Sequence, residues 1–365
     1  MTTYAIDTQA PDEAEVEAFV ERVFASVLAT QEIQAAYIGD RLGWYEALER
    51  DALTAPELAA RTSTSERYAR EWLEHQTVTG WLTCENPEAS PTERRFALPA
   101  AHAEALVRPD SLAHMGAFAR FIGGLGKNLD ALVDAYRNDT GVSWEAMGED
   151  AREGQAGANR PMFVNQLAQE YLASIPDVDA ALRNGGRVAD VGAGLAWSSV
   201  GVAKAYPRAR VDAFDIDEPS IESARRIIAE AGLGDRVTAT AVDVADLDPG
   251  EPYDLVMALE CIHDLPDPVS VLGAMHRLAG DDGAVIVMDE RVADEFTAEA
   301  DEVERLLYGF SITCCLPDSK AHHGSVATGT VMRRSTLERY AHDAGFTSVV
   351  TLPIENDFFR FYRLH

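Results

Sequence analysis

From residue 186 onward, short apolar runs alternate with helical segments, and this alternation restricts the possible folds more than any other feature. Residues 188–191, 210–215, 237–242, 253–258 and 284–288 read as strands. Residues 197–206, 220–231 and 269–279 carry helical spacing between them. Strands joined by helical crossovers demand a mostly parallel sheet with helices on both faces. A further helix at 335–344 and two extended stretches, 347–352 and 357–364, close the chain. In open sheets of this kind, ligands bind beyond the carboxyl ends of the strands. The loops after the strands are therefore where chemistry is expected.

The chain before this point is helical. Over residues 13–50, Val16, Phe19, Val20, Val23, Phe24 and Val27 recur at three-four spacing. Thr54 can cap a helix entered through Pro56, with Glu57 completing a capping box. A turn at 63–66, a helix over 67–77 and short strands at 81–84 and 95–98 make a winged-helix pattern. Residues 101–185 read as irregular helix. In that stretch an apolar segment at 115–125 is broken by Gly123-Gly124, 150–159 reads as a polar loop or hinge, and helix resumes over 162–175. A chain of 365 residues suits two domains, expected at 1–160 and 161–365.

The formal net charge is −30. Such a surface repels phosphates, so nucleic acid and anionic membrane are poor partners. The helix at the recognition position carries Arg67 and Arg70, but also Glu66, Glu71 and Glu74. No run approaches the roughly 20 apolar residues that span a bilayer. Residues 1–17 carry acids and lack the basic and apolar regions of a secretory leader. The four cysteines show no metal-ligand spacing, and a reduced, cytoplasmic setting is expected.

The first strand runs into Asp190-Val191-Gly192-Ala193-Gly194-Leu195-Ala196. Glycines permit a sharp turn and a close backbone approach to a ligand. A dinucleotide site would want a third glycine where this chain has Trp197, whose bulk obstructs a pyrophosphate at the helix start. S-adenosylmethionine has no phosphate and needs no such approach, so the turn favours that cofactor. Asp215, at the end of the second strand, can accept hydrogen bonds from both ribose hydroxyls, with Ile216 against the adenine. Asp243 and Val244 follow the third strand, where an acid can receive the adenine amino group.

With these elements in order, the chain resembles the class I S-adenosylmethionine-dependent methyltransferases. More closely it is similar to the bacterial subgroup with an N-terminal winged-helix-like domain, through residues 58–62, 71–74, 188–194, 214–218 and 329–333. The resemblance implies a Rossmann-like α/β fold with a seven-stranded sheet, its last strand antiparallel. The cofactor residues it suggests are Asp190, Gly192, Ala193, Gly194, Asp215, Ile216, Asp243, Val244 and Glu260. Ala196 departs from the glycine of many relatives, a change expected to cost little.

The fourth strand runs into Glu260-Cys261-Ile262-His263-Asp264, the position between cofactor and acceptor in that family. Glu260 can face the cationic half of the cofactor, and His263 suits a general base near neutral pH. One of Asp289, Glu290 and Arg291 is expected to reach the acceptor. Paired aspartates of the catechol type are not recognisable, so the expected reaction is metal-independent. The acceptor is expected to be a small molecule, and the N-terminal helices are expected to dimerise and cover it. A ligand-sensing winged-helix regulator and a cofactor-binding relative with other chemistry remain as alternatives.

Overall fold

The computed structural model describes residues 11–248 and 250–365; the first ten residues of the acidic N-terminal stretch lie outside the described residues. The chain divides into two compact units, Met1–Ala103 and Glu104–His365. The boundary expected at residue 160 therefore falls about one helical subdomain earlier. Helices in 104–160 pack on one another and on elements farther along the second unit, which is why they belong to it.

In the first unit, α1 (Glu13–Arg41) starts on Asp12, whose carboxylate accepts the Ala14 N–H. Its first half is exposed on every side, apolar residues included. Farther along, Gly39 approaches Trp72 and Tyr45 so closely that a β-carbon would overlap both rings. Then follow α2 (Trp44–Arg50), α3 (Ala55–Thr62) and α4 (Glu66–Val78). The Thr54–Glu57 capping box forms as its spacing requires. Trp44 and Tyr45 meet Trp72 edge to face, with centroids 4.8 and 5.1 Å away. The wing is a two-residue antiparallel pair, β1 (Thr83–Cys84) with β2 (Phe96–Ala97), shorter than the sequence suggested. On α4, Arg67 pairs with Glu71 and Arg70 with Glu66, so both arginines are engaged within their own helix.

The helix α5 (Ala100–Leu106) crosses the unit boundary. After it come α6 (Gly116–Gly126), α7 (Leu129–Asn138), α8 (Trp144–Met147) and α9 (Glu149–Met162). Two expectations fail here. Gly123-Gly124 does not break α6, and residues 150–159 are not a loop but the body of α9. Glycine's helix cost of about 1 kcal/mol is outweighed by packing. A β-carbon at Gly154 would overlap the backbone of Phe121, and one at Gly124 the backbone of Ala151. Small residues let α6 and α9 lie close together. The chain continues through π-turns at Phe163–Tyr171 into α10 (Pro176–Arg183).

The second unit holds β3 (Arg187–Val191), α11 (Trp197–Ala205), β4 (Arg210–Asp215), α12 (Glu218–Glu230), β5 (Val237–Ala241), β6 (Leu255–Leu259), α13 (Pro268–Ala279) and β7 (Ala284–Glu290). It ends with α14 (Glu302–Phe310), α15 (Leu316–Ala321), α16 (Arg334–Asp343), β8 (Val349–Thr351) and β9 (Phe359–Leu364). Among the described residues these make a seven-stranded sheet in the order β5-β4-β3-β6-β7-β9-β8. Neighbours from β5 to β7 are parallel, while β9 runs antiparallel to β7 and β8. Alternate strand residues face opposite sides. Val188, Met257 and Ile286 pack under α11 and α12, whereas Ala189, Val256 and Val285 pack under α13 and α16. The connections reverse direction between β3 and β6, which marks that edge as the ligand-binding crevice.

Candidate functional site

At the end of β3, the N–H groups of Gly192 and Ala193 both donate to the Phe214 carbonyl, at 2.9 and 3.1 Å. Gly192 and Gly194 sit at φ of 68° and 52°, a region open to glycine at no steric cost. A β-carbon at Gly192 would meet Cys261 Sγ at 2.7 Å, while one at Gly194 meets nothing within 4 Å. The turn is therefore closed on its inner side and open at Gly194. Ala196 also takes a left-handed conformation, φ 61°, at a cost of about 1 kcal/mol for a residue with a β-carbon. That cost is larger than the sequence suggested.

Asp190 does not face the open side. It is buried, and its Oδ2 accepts the hydroxyls of Ser198 and Ser199, each at 2.6 Å. Burial pushes its pKa up to about 6, against the pull of the two serines. Asp190 ties β3 to α11 and supports the turn from behind.

Asp215 lies across from that turn at the end of β4. Its Oδ2 accepts the Gly194 N–H at 2.8 Å and its Oδ1 the Asp217 N–H at 2.9 Å. Burial raises its pKa, and these backbone donors oppose the shift. Each oxygen keeps a lone pair for a further donor, the geometry a vicinal diol needs. Ile216 beside it is 58% exposed and offers a flat apolar contact. Asp243 caps a short turn by accepting the Ala245 N–H, and stays exposed. Val244 is buried in the core under α13, so any ligand contact from it is through its backbone.

Glu260 follows β6 and carries φ 59°, a strained value for a non-glycine residue. Its Oε1 accepts from Gln155 Nε2 at 2.9 Å and its Oε2 from Asn159 Nδ2. Burial raises its pKa to about 7, opposed by the charge of His263 and by the two amides. On the same helix Arg152 forms a two-pronged pair with Asp217, at 2.6 and 2.9 Å. Burial works against ionised Asp217, yet Arg152 holds its carboxyl below the ordinary range. Arg160, at the end of α9, stacks 3.9 Å over the Trp197 ring. These α9 residues were not identified from the sequence. Their signal was present: 152, 155 and 159 are at i, i+3 and i+7, one face of a helix.

His263 lies where expected, in the loop after β6. It is 1% exposed. Its Nδ1 is 2.9 Å from Asp289 Oδ1 and 2.8 Å from Glu290 Oε2, and its Nε2 is 3.0 Å from Asp264 Oδ1. Burial disfavours the charged ring, but the three carboxylates hold its pKa well above 6.5. His263 thus stands at the position expected of the base, between the loop after β6 and the end of β7. Asp289 and Glu290 are both buried, and Asp289 Oδ2 is left without a hydrogen-bond partner. By residue type and spacing, His263 with Asp289 and Glu290, or with Asp264 and Cys315, could hold a metal ion.

Asp318, on α15, is a further acid missed in the sequence. Its Oδ1 accepts the Trp144 N–H at 2.6 Å. Burial pushes its pKa to about 7, with Asp264, Asp217 and Asp215 adding to the rise. Asp318 thus shares one acidic region with the strand-end carboxylates.

The residue set fits S-adenosylmethionine: an open glycine position, an acid at β4 with lone pairs left for a diol, and a half-buried acid at β6 beside the turn. A methyltransferase domain model matches residues 182–330, and a model described as an Rv2258c-like winged HTH domain matches residues 34–108. Over 104 residues the chain is 35% identical to a ubiquinone biosynthesis O-methyltransferase of Pseudomonas aeruginosa, covering 28% of this chain and 44% of that protein. Over 205 residues it is 28% identical to the 27-O-demethylrifamycin SV methyltransferase of Amycolatopsis mediterranei, covering 54% and 71%. The chain spans less than half the length of the first curated relatives it matches. A solved O-methyltransferase family protein from Burkholderia thailandensis superposes with a TM-score of 0.66 at 17% identity, covering 98% of each chain, which speaks to the fold. Domain matches, strand order and the glycine turn agree: the chain carries a methyltransferase domain over residues 182–330 and an Rv2258c-like winged HTH domain over residues 34–108.

Proposed function

We propose that the chain transfers the methyl group of S-adenosylmethionine to a small-molecule acceptor. The observation that carries this reading is Asp215, oriented by the Gly194 and Asp217 N–H groups across from the open glycine turn. When bound, the cofactor supplies an activated methyl group on a sulfonium. Asp215 holds the ribose diol, Ile216 lies against the adenine, and Asp243 receives the adenine amino group. Glu260 faces the cationic amino-acid end. Displacement at an activated carbon needs alignment more than acid–base help, so positioning supplies most of the acceleration and no Lewis acid is required. His263 holds Asp264, Asp289 and Glu290 in place.

An acidic surface and arginines engaged within α4 support a small molecule over nucleic acid. No helix among the described residues is long and apolar enough to cross a membrane. Four free cysteines suit a reducing, cytoplasmic compartment. The exposed apolar side of α1 supports a homodimer. Incubation with S-adenosylmethionine and a panel of phenol, amine, thiol and activated-carbon acceptors tests the reading by mass spectrometry. S-adenosylhomocysteine formed with a methylated product is the expected result. Cofactor binding without turnover across all four classes would count against it.

A further inference from the structure

Glu260 and Asp217 stand at the ends of β6 and β4, on either side of the glycine turn, and α9 contacts both. Arg152 anchors the helix on Asp217. One and two turns later, Gln155 and Asn159 each give one amide N–H to one oxygen of Glu260. Among the described residues no arginine or lysine forms an ion pair with Glu260; its hydrogen bonds come from two neutral amides, and the charge of His263 acts on it through space. A carboxylate partly withdrawn from water with no cation in direct contact is costly, and a cationic ligand group offsets that cost. Two further observations place this acid toward a ligand. Its backbone is strained, which persists only where the surroundings impose it. Its neighbour Cys261 lies under Gly192, which puts Glu260 beside the turn.

We propose that Gln155 and Asn159 are positioning residues that hold Glu260 as the receptor for the α-ammonium group of S-adenosylmethionine. The inference rests on the cofactor reading above. It assigns α9 a task in recognising one end of that cofactor. The adenosine end is left to Asp215, Ile216 and Asp243.

The test compares two ligands by titration calorimetry. S-adenosylmethionine carries the amino-acid end, and 5′-methylthioadenosine shares the nucleoside and sulfur but lacks it. Gln155→Leu and Asn159→Leu should each weaken S-adenosylmethionine by about tenfold, the loss of one hydrogen bond to a charged group. Both variants should leave 5′-methylthioadenosine binding unchanged. Equal losses for the two ligands would show a merely structural role for the amides, and no loss for either would show none; each overturns the proposal. Should a leucine variant fail to fold, Glu260→Gln with α9 unchanged must show the same selective loss, and a non-selective result there is equally fatal. A wild-type protein that binds neither ligand would instead overturn the cofactor reading itself.

Discussion

His263 Nδ1 lies 2.9 Å from Asp289 Oδ1, and side chains of both residues are almost wholly removed from solvent. The contact couples the loop after β6 to the end of β7. Glu290 completes the arrangement from the same strand, its own pKa raised well above 4.5, first by burial. The ring is thus the cation of a buried acidic cluster. Removing it strands charge in a low-dielectric site.

His263→Gln is therefore expected to destabilise the fold by about 3–5 kcal/mol, the usual cost of breaking a buried pair from one side. Differential scanning calorimetry would measure it. The native contribution also has a pH sign. The folded ring's pKa is above its ordinary 6.5, so the stabilisation is complete below that value and fades as pH rises through the raised one. An unchanged melting temperature with lost activity would show a general-base role without the structural one.

Asp215→Ala should weaken S-adenosylmethionine binding by about tenfold or more, since a pair of charge-assisted hydrogen bonds is lost. The variant also frees the N–H groups of Gly194 and Asp217. Asp215→Asn, which retains an acceptor, should fall between the two. Isothermal titration decides it, and wild-type affinity in Asp215→Ala would remove the ribose assignment.

Glu260 introduces a pH dependence into cofactor binding. With its pKa raised to about 7, its carboxyl is protonated below neutrality and ionised above. Attraction for an ammonium group requires the ionised form. His263 and Asp264 act on it in opposite senses, and the amides of Gln155 and Asn159 favour its charged form. Affinity should rise between pH 6 and 8, by at most about tenfold per unit for one titrating group. Glu260→Gln should flatten the profile. A steep profile that survives in that variant would point to another group.

The first half of α1 exposes Phe19, Val20, Val23 and Phe24, at 46–64% of their surface. An isolated helix of such residues is marginal in water, and its apolar side gains from being covered. A second copy is the proposed cover. Phe19→Glu combined with Val23→Glu should convert a dimer to a monomer in multi-angle light scattering, with cooperative unfolding of the second unit retained. A wild-type protein that is monomeric at micromolar concentration would end the homodimer proposal.

The strands and crossovers of the second unit were legible because each is a local pattern of period two or 3.6. The glycine turn was equally so, since only glycine takes the conformations of Gly192 and Gly194 freely. Local signals also placed Asp215 and Glu260 at strand ends, where parallel sheets present ligands. What tertiary structure decided is which acids face the open side. Asp190 has the right chemistry and position in the chain, yet burial and two serines of α11 turn it away from that side. The opposite happened at 150–159. Polar and glycine residues there resemble a loop, because local propensity cannot register that Gly154 fits against Phe121. Once packed, that helix brings Arg152, Gln155 and Asn159 to acids 65 to 105 residues away. Sequence alone determined the sheet, the turn and the cofactor class, whose signals lie within a few residues of one another. Packing determined the state of each ionisable group, because that depends on neighbours distant in the chain.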